Sequence, residues 1–163
     1  MLGDSPIYYG NGTQNGQLVD DRLSTIAIPQ RDRYVSQLVA GQGYDTHHHE
    51  ALAALQREQS RHRDIPGEYW IAEADPTAAE QAVTRMLDPT SIAWAVLASD
   101  GAADVIDITG HSWADVAQFN AGQLTELLRR LHEWEATTDP DGRTLPRAKH
   151  HDDKTIAAVA HVF

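Results

Sequence analysis

Cysteine is absent from the 163 residues, which excludes a disulfide framework, a thiol nucleophile and a thiolate metal site. Positive charge is scarce. The chain carries 13 Lys and Arg against 24 Asp and Glu, a formal net charge of -11, and the basic residues are scattered rather than gathered in a stripe. That pattern is the opposite of a phosphate-backbone footprint and excludes nucleic acid as a partner. Long apolar runs are missing too. The longest, Ile92 to Ala98, falls far short of the roughly 20 residues a membrane-spanning helix needs, so no membrane partner is expected. The opening MLGDSPIYYG lacks the basic segment and sustained apolar stretch of a secretory leader. These absences together lead to the expectation of a cytoplasmic protein. No repeat, low-complexity tract or linker divides the chain, and 41% hydrophobic residues with four Trp suffice for one core, so residues 1–163 are read as a single domain.

What is present alternates short strand-like runs with helical ones. LGDSPIYYGNGTQNGQLVDDRL reads as a hairpin, with the chain starting directly inside a strand and a loop rich in Gly and Asn before Gln17 to Val19. Residues 26–44 are irregular, with Pro29 and several turn-formers. Thr46 to Arg63 is helical, with Leu52 and Leu55 on one side. YWIA at 69–72 reads as a strand, and Asp75-Pro76 as the cap and first residue of a helix through Ala79, Val83, Met86 and Leu87. Ile92 to Ser99 is the most apolar strand. Helical character follows Gly101 through Val105 and resumes at Ser112 or Trp113. Gln123 to Thr137 is the strongest helix, with Leu124, Leu127, Leu128, Leu131 and Trp134 on one face, and Asp139-Pro-Asp-Gly142 ends it. A polar loop then leads into a closing strand, Thr155 to Phe163. The fold class expected is α+β.

Two segments place acids at strand ends. LASDG at 97–101 ends an apolar strand in Asp100, and HHDDKTIAAV at 150–159 opens one with Asp152 and Asp153. Were these strands antiparallel neighbours, the carboxylates would share one end of the sheet, where they repel unless protonated or bridged by a cation. Hard divalent ions such as Mg²⁺ or Mn²⁺ prefer such oxygen ligands. A helix-capping Asp100 and a solvated Asp152-Asp153 turn account for the same spacing.

In sequence, WAVLASDGAADVI resembles the strand, SDG and following short helix of the PPM-type (type 2C) metal-dependent serine/threonine protein phosphatases. DDKTIAAV resembles that family's closing D-[ND]-x-[ST] strand, and LGDSPIYYGNG its GDS strand and hairpin, all in the family's order. The resemblance implies a partial α-β-β-α sandwich of two antiparallel sheets flanked by helices. It further implies Asp100 and Asp152 as ligands of a two-metal Mg²⁺ or Mn²⁺ centre, with Asp4 near it helping to hold a further, weaker ion. Asp153 stands where Asn is frequent and is expected to brace the loop. The activity implied is hydrolysis of phosphoserine or phosphothreonine in a phosphoprotein substrate, by water directed in line at phosphorus without a covalent enzyme intermediate.

The family's upstream acidic motif, its DGxGG-type loop, its phosphate-gripping arginine and its general-acid histidine have no counterpart in the sequence. Pro6 follows GDS where many members have Arg, and the glycine-containing segment before SDG is not recognisable. The expectation is therefore an N-terminally truncated, inactive portion of the domain, prone to self-association through exposed sheet edges. The alternative is a pseudophosphatase-like module that binds without catalysing. A third reading, an unrelated metal protein, draws on His47-His48-His49 and His150-His151. Adjacent histidines point in different directions, and a loop histidine bonded to an acid explains the second pair. Trp70, Trp94, Trp113 and Trp134 read as packing residues. Ser99 lacks the G-x-S-x-G surroundings of a hydrolase nucleophile.

Overall fold

A computed structural model describes residues 1–160 of the protein. Strands β1 (Ile7–Gly10) and β2 (Asn15–Leu18) form the expected hairpin. Asn11 closes its turn, since Asn11 Oδ1 accepts hydrogen bonds from the Thr13 and Gln14 amides. Strand β3 (Trp94–Ala98) pairs antiparallel with the other side of β1, and β4 (Ile156–Ala160) pairs antiparallel with β3. The sheet order is β2-β1-β3-β4. Residues 161–163, the end of the expected closing strand, lie outside the described residues.

Helices cover one face. Trp94, Val96 and Ala98 of β3 are buried there against Ile106, Val116, Leu127 and Leu131. Leu127 and Leu131 come from α5 (Ala121–Thr137), whose start is fixed by a capping box in which Asn120 and Gln123 exchange side-chain bonds to each other's amides. Two four-residue helices, α3 (Asp100–Ala103) and α4 (Trp113–Val116), bridge β3 to α5. Tyr8 of β1 stacks on Trp113 with ring centroids 4.2 Å apart. A second cluster of Tyr34, Leu38, Ala51 and Leu55 joins α1 (Ile28–Val39) to α2 (Thr46–His62).

Helix α1 occupies residues expected to be irregular. Pro29 lies in its first turn, where a proline costs no hydrogen bond, so the residue read as a breaker is a starter. YWIA is not a strand: among the described residues its ladder contact is one parallel bridge, Arg63 to Tyr69, and the apolar pattern reflects burial of Tyr69 and Trp70. Asp75 caps Pro76–Gln81 as expected, but only as a 3-10 turn. Beyond it residues 82–88 form no helix; Val83 exchanges hydrogen bonds with Met1 and Arg85 reaches the Tyr9 hydroxyl at 2.6 Å. Met86, expected on an apolar helix face, is 97% exposed. The GDS segment is an irregular approach to β1 rather than part of the strand.

The protein is thus mixed α+β, with one four-stranded antiparallel sheet among the described residues in place of the expected pair. On the face away from the helices, Ile7, Leu97 and Ala157 align across three strands, with Ala95 and Val159 alongside. Leu97 is 47% and Val159 50% exposed, so the apolar part of this face around them is uncovered, whereas Tyr9, opposite Ala95 on the same face, is buried. Among the described residues, no helix is long and apolar enough to cross a membrane.

Candidate metal centre

The SDG and DDKT segments meet through Ser99 and Gly101. Ser99 Oγ donates to the Asp153 carbonyl and accepts from the Thr155 amide, both at 3.0 Å, while the Ser99 amide donates to the Thr155 carbonyl. The serine is a clasp between two strand ends. Gly101 lets them close: a Cβ there would lie 2.7 Å from the Asp153 carbonyl oxygen and 2.8 Å from Asp152 Cβ. On the other side, the Ala98 amide donates to the Pro6 carbonyl at 3.1 Å and draws residues 4–6 to the same sheet end.

Asp4, Asp100 and Asp152 consequently line one cleft of about 500 Å³, together with Asp104, one helical turn beyond Asp100. Burial pushes the Asp100 carboxyl above its ordinary pKa, and the nearby Asp4 and Asp152 push it further, against the Gly101 amide and Lys149. Asp104 is exposed as a residue, yet it opens into a walled cleft. Its carboxyl is raised by desolvation and then by Asp100, Asp4 and Asp152. One cation balances this group: Lys149 Nζ lies 2.6 Å from Asp152 Oδ1, an ion pair that raises the lysine's pKa. Asp153 is exposed, and its carbonyl braces Ser99, in keeping with a loop-bracing position.

No three of the aspartates bring carboxylate oxygens within 4.8 Å of one another. A Mg²⁺-like ion tolerates such spacing, since it keeps several waters and takes only one or two carboxylates. The donor set, all oxygen and mutually repelling, fits a hard divalent cation.

Four ionisable cleft residues escaped the sequence reading, Arg31, Asp104, Glu135 and Arg147. Asp104 was signalled by its i, i+4 spacing from Asp100, legible only once a helix is placed at Asp100. Arg31 lines the cleft from α1 while donating to the Leu23 and Ser24 carbonyls, and α1 itself was not foreseen.

Glu135 and Arg147, on the wall of the cleft, belong to a buried network of balanced charge. Glu135 Oε2 receives Lys154 Nζ at 2.7 Å. Arg147 bonds both the carboxylate and the carbonyl of Asp139, at 2.8 and 2.7 Å. Burial works against the Asp139 carboxylate, but the Thr144 and Leu145 amides and Arg147 hold its pKa below the usual range. The histidine triple diverges as expected: His47 and His49 are exposed, whereas His48 is buried with Nε2 donating to the Ala148 carbonyl at 2.8 Å. Trp70 and Trp94 are buried, and Trp113 and Trp134 pack at the edges of the core clusters.

Comparison of the chain with protein-family models, with curated proteins and with solved structures finds no match.

Proposed function

We propose that this chain is a metal-binding portion of a PPM-type serine/threonine phosphatase domain, with Asp100 and Asp152 holding Mg²⁺ or Mn²⁺ and Asp4 assisting. The observation that carries the reading is the meeting of three sequence-distant acids, Asp4, Asp100 and Asp152, in one cleft at one end of one sheet. Asp104 adds charge to the same wall. Bound ions of this class supply an activated water and positive charge for attack on a phosphate ester. The chain's own part is to hold the acids together through Ser99 and Gly101, and Arg31 offers the cleft a guanidinium suited to phosphate.

The uncovered face of Leu97 and Val159 is where the second sheet of an α-β-β-α sandwich would pack. In this reading residues outside these 163 supply that sheet and the phosphate-positioning and proton-donating groups. Without them the same face and the edge strands β2 and β4 favour self-association. The cysteine-free composition suits a reducing compartment, and the cytoplasm is the proposed location.

A non-catalytic binding module is the second reading, favoured by one observation: Lys149 already neutralises Asp152. The assay is hydrolysis of a phosphothreonine peptide with Mn²⁺. The 163 residues alone are expected to be inactive, because losing substrate positioning and the general acid each costs orders of magnitude. Addition of the domain's complementary half should restore turnover that Asp100→Asn abolishes. Turnover unaffected by Asp100→Asn would defeat the assignment, and failure to restore it would favour the binding module.

A further inference from the structure

The acid cleft is built of oxygen donors, but a neighbouring cluster offers nitrogen. Helix α5 places His132 and Glu135 three residues apart on one face, and the loop before β4 lays His151 against them. One ligand atom from each of the three lies within 4.8 Å of the others. The His132 and His151 rings stand 4.2 Å apart between centroids, and His151 Nδ1 is 3.3 Å from Glu135 Oε2.

We infer that His132, Glu135 and His151 form a second metal site, selective for a borderline ion of the Zn²⁺ class. Two imidazoles and one carboxylate are a donor set that Zn²⁺ accepts with its fourth position left to water or an outside ligand, whereas Mg²⁺ discriminates against nitrogen. An independent observation supports the assignment. Glu135 is fully buried, and while Oε2 receives Lys154, Oε1 has no hydrogen-bond donor, with Arg147 Nε 3.7 Å away. A buried acceptor without a donor is unfavourable, so this carboxylate has coordinating capacity that the protein leaves unused. Sharing of the two oxygens between ammonium and metal would satisfy both.

The site goes beyond the phosphatase reading and does not depend on it. Because Glu135 also lines the aspartate cleft, the two sites adjoin, and an ion here would tie α5 to the loop that carries Asp152. Co²⁺ is the probe, because nitrogen-ligated Co²⁺ of low coordination number absorbs in the visible. His132 is exposed and His151 half-buried, so their alanine variants should keep the fold, checked by circular dichroism. The expected result is one equivalent of Co²⁺, displaced by Zn²⁺, with affinity falling about tenfold or more in both His132→Ala and His151→Ala. His47→Ala, at an exposed histidine away from the cluster, should leave it unchanged. No visible band in the unmodified chain, binding that survives either histidine substitution, or an equal loss in His47→Ala would each overturn the site.

Discussion

Two groups of carboxylates lie side by side in this protein and are treated in opposite ways. Glu135 and Asp139 are buried, yet Lys154, Arg147 and backbone amides answer each of their carboxylate oxygens except Glu135 Oε1. Asp4, Asp100, Asp104 and Asp152 open onto a cleft, with Lys149 on Asp152 as their balancing ion pair. The first group is balanced and structural. The second is left with mutually repelling charge that the fold has brought together, and burial and like charge raise Asp100 and Asp104.

The largest effect expected from breaking this contrast is on the balanced side. Arg147→Ala strands Asp139 as a buried charge, leaving Glu135 with Lys154 alone, and should cost about 3–5 kcal/mol in urea denaturation. A loss below about 1 kcal/mol, the range of exposed pairs, would show that the network is not structural. Next comes Gly101→Ala, which pushes the SDG and DDKT segments apart. Overpacking of this kind costs about 1–3 kcal/mol, and Mn²⁺ affinity should fall with it, both read on one purified variant.

The two groups should also respond to pH with opposite sign. The raised Asp100 and Asp104 hold protons more tightly in the folded state, so their contribution to stability declines as pH rises from about their ordinary value of 3.8 through the raised values. Asp139 is depressed, so its contribution is present above its ordinary pKa and is lost as pH falls through the lowered one. Asp104→Asn should accordingly raise the metal-free melting temperature at neutral pH and do nothing at low pH. Asp139→Asn should lower it at neutral pH. Melting curves in which both variants shift in the same direction would erase the distinction.

The smallest effect concerns the uncovered sheet face. Leu97→Lys should leave stability within about 0.5 kcal/mol yet suppress self-association in sedimentation velocity. Undiminished association would point to the edge strands instead.

The features legible in the sequence were those set by short-range pattern. The α5 stripe of Leu124, Leu127, Leu128 and Leu131, the Asn-rich hairpin turn and the apolar β3 run announce themselves within a few residues. The acid-ended strands pointed to Asp100 and Asp152 at one sheet end if β3 and β4 paired antiparallel, which they do, whereas Asp4 was named from the family resemblance and lies outside any strand. Features fixed by distant partners were not legible. Residues 82–88 form no helix and bond instead to Met1 and Tyr9, and in YWIA Tyr69 and Trp70 are buried with a single isolated bridge. Pro29 carried both meanings, breaker and starter, and only the packing of Tyr34 and Leu38 on α2 decides between them. His132, Glu135 and His151 are spread over 20 residues, and the His132-Glu135 spacing is a common helical one that signals nothing until the loop folds back.

The most direct test of the aspartate assignment is calorimetric titration of Mn²⁺ into the protein and into Asp100→Asn and Asp152→Asn, with Zn²⁺ saturating the histidine cluster throughout. Weak binding by the unmodified chain, lost in both variants, is the result expected of widely spaced carboxylates already sharing Lys149. Binding of equal strength in all three proteins, or none in the unmodified chain, would contradict it.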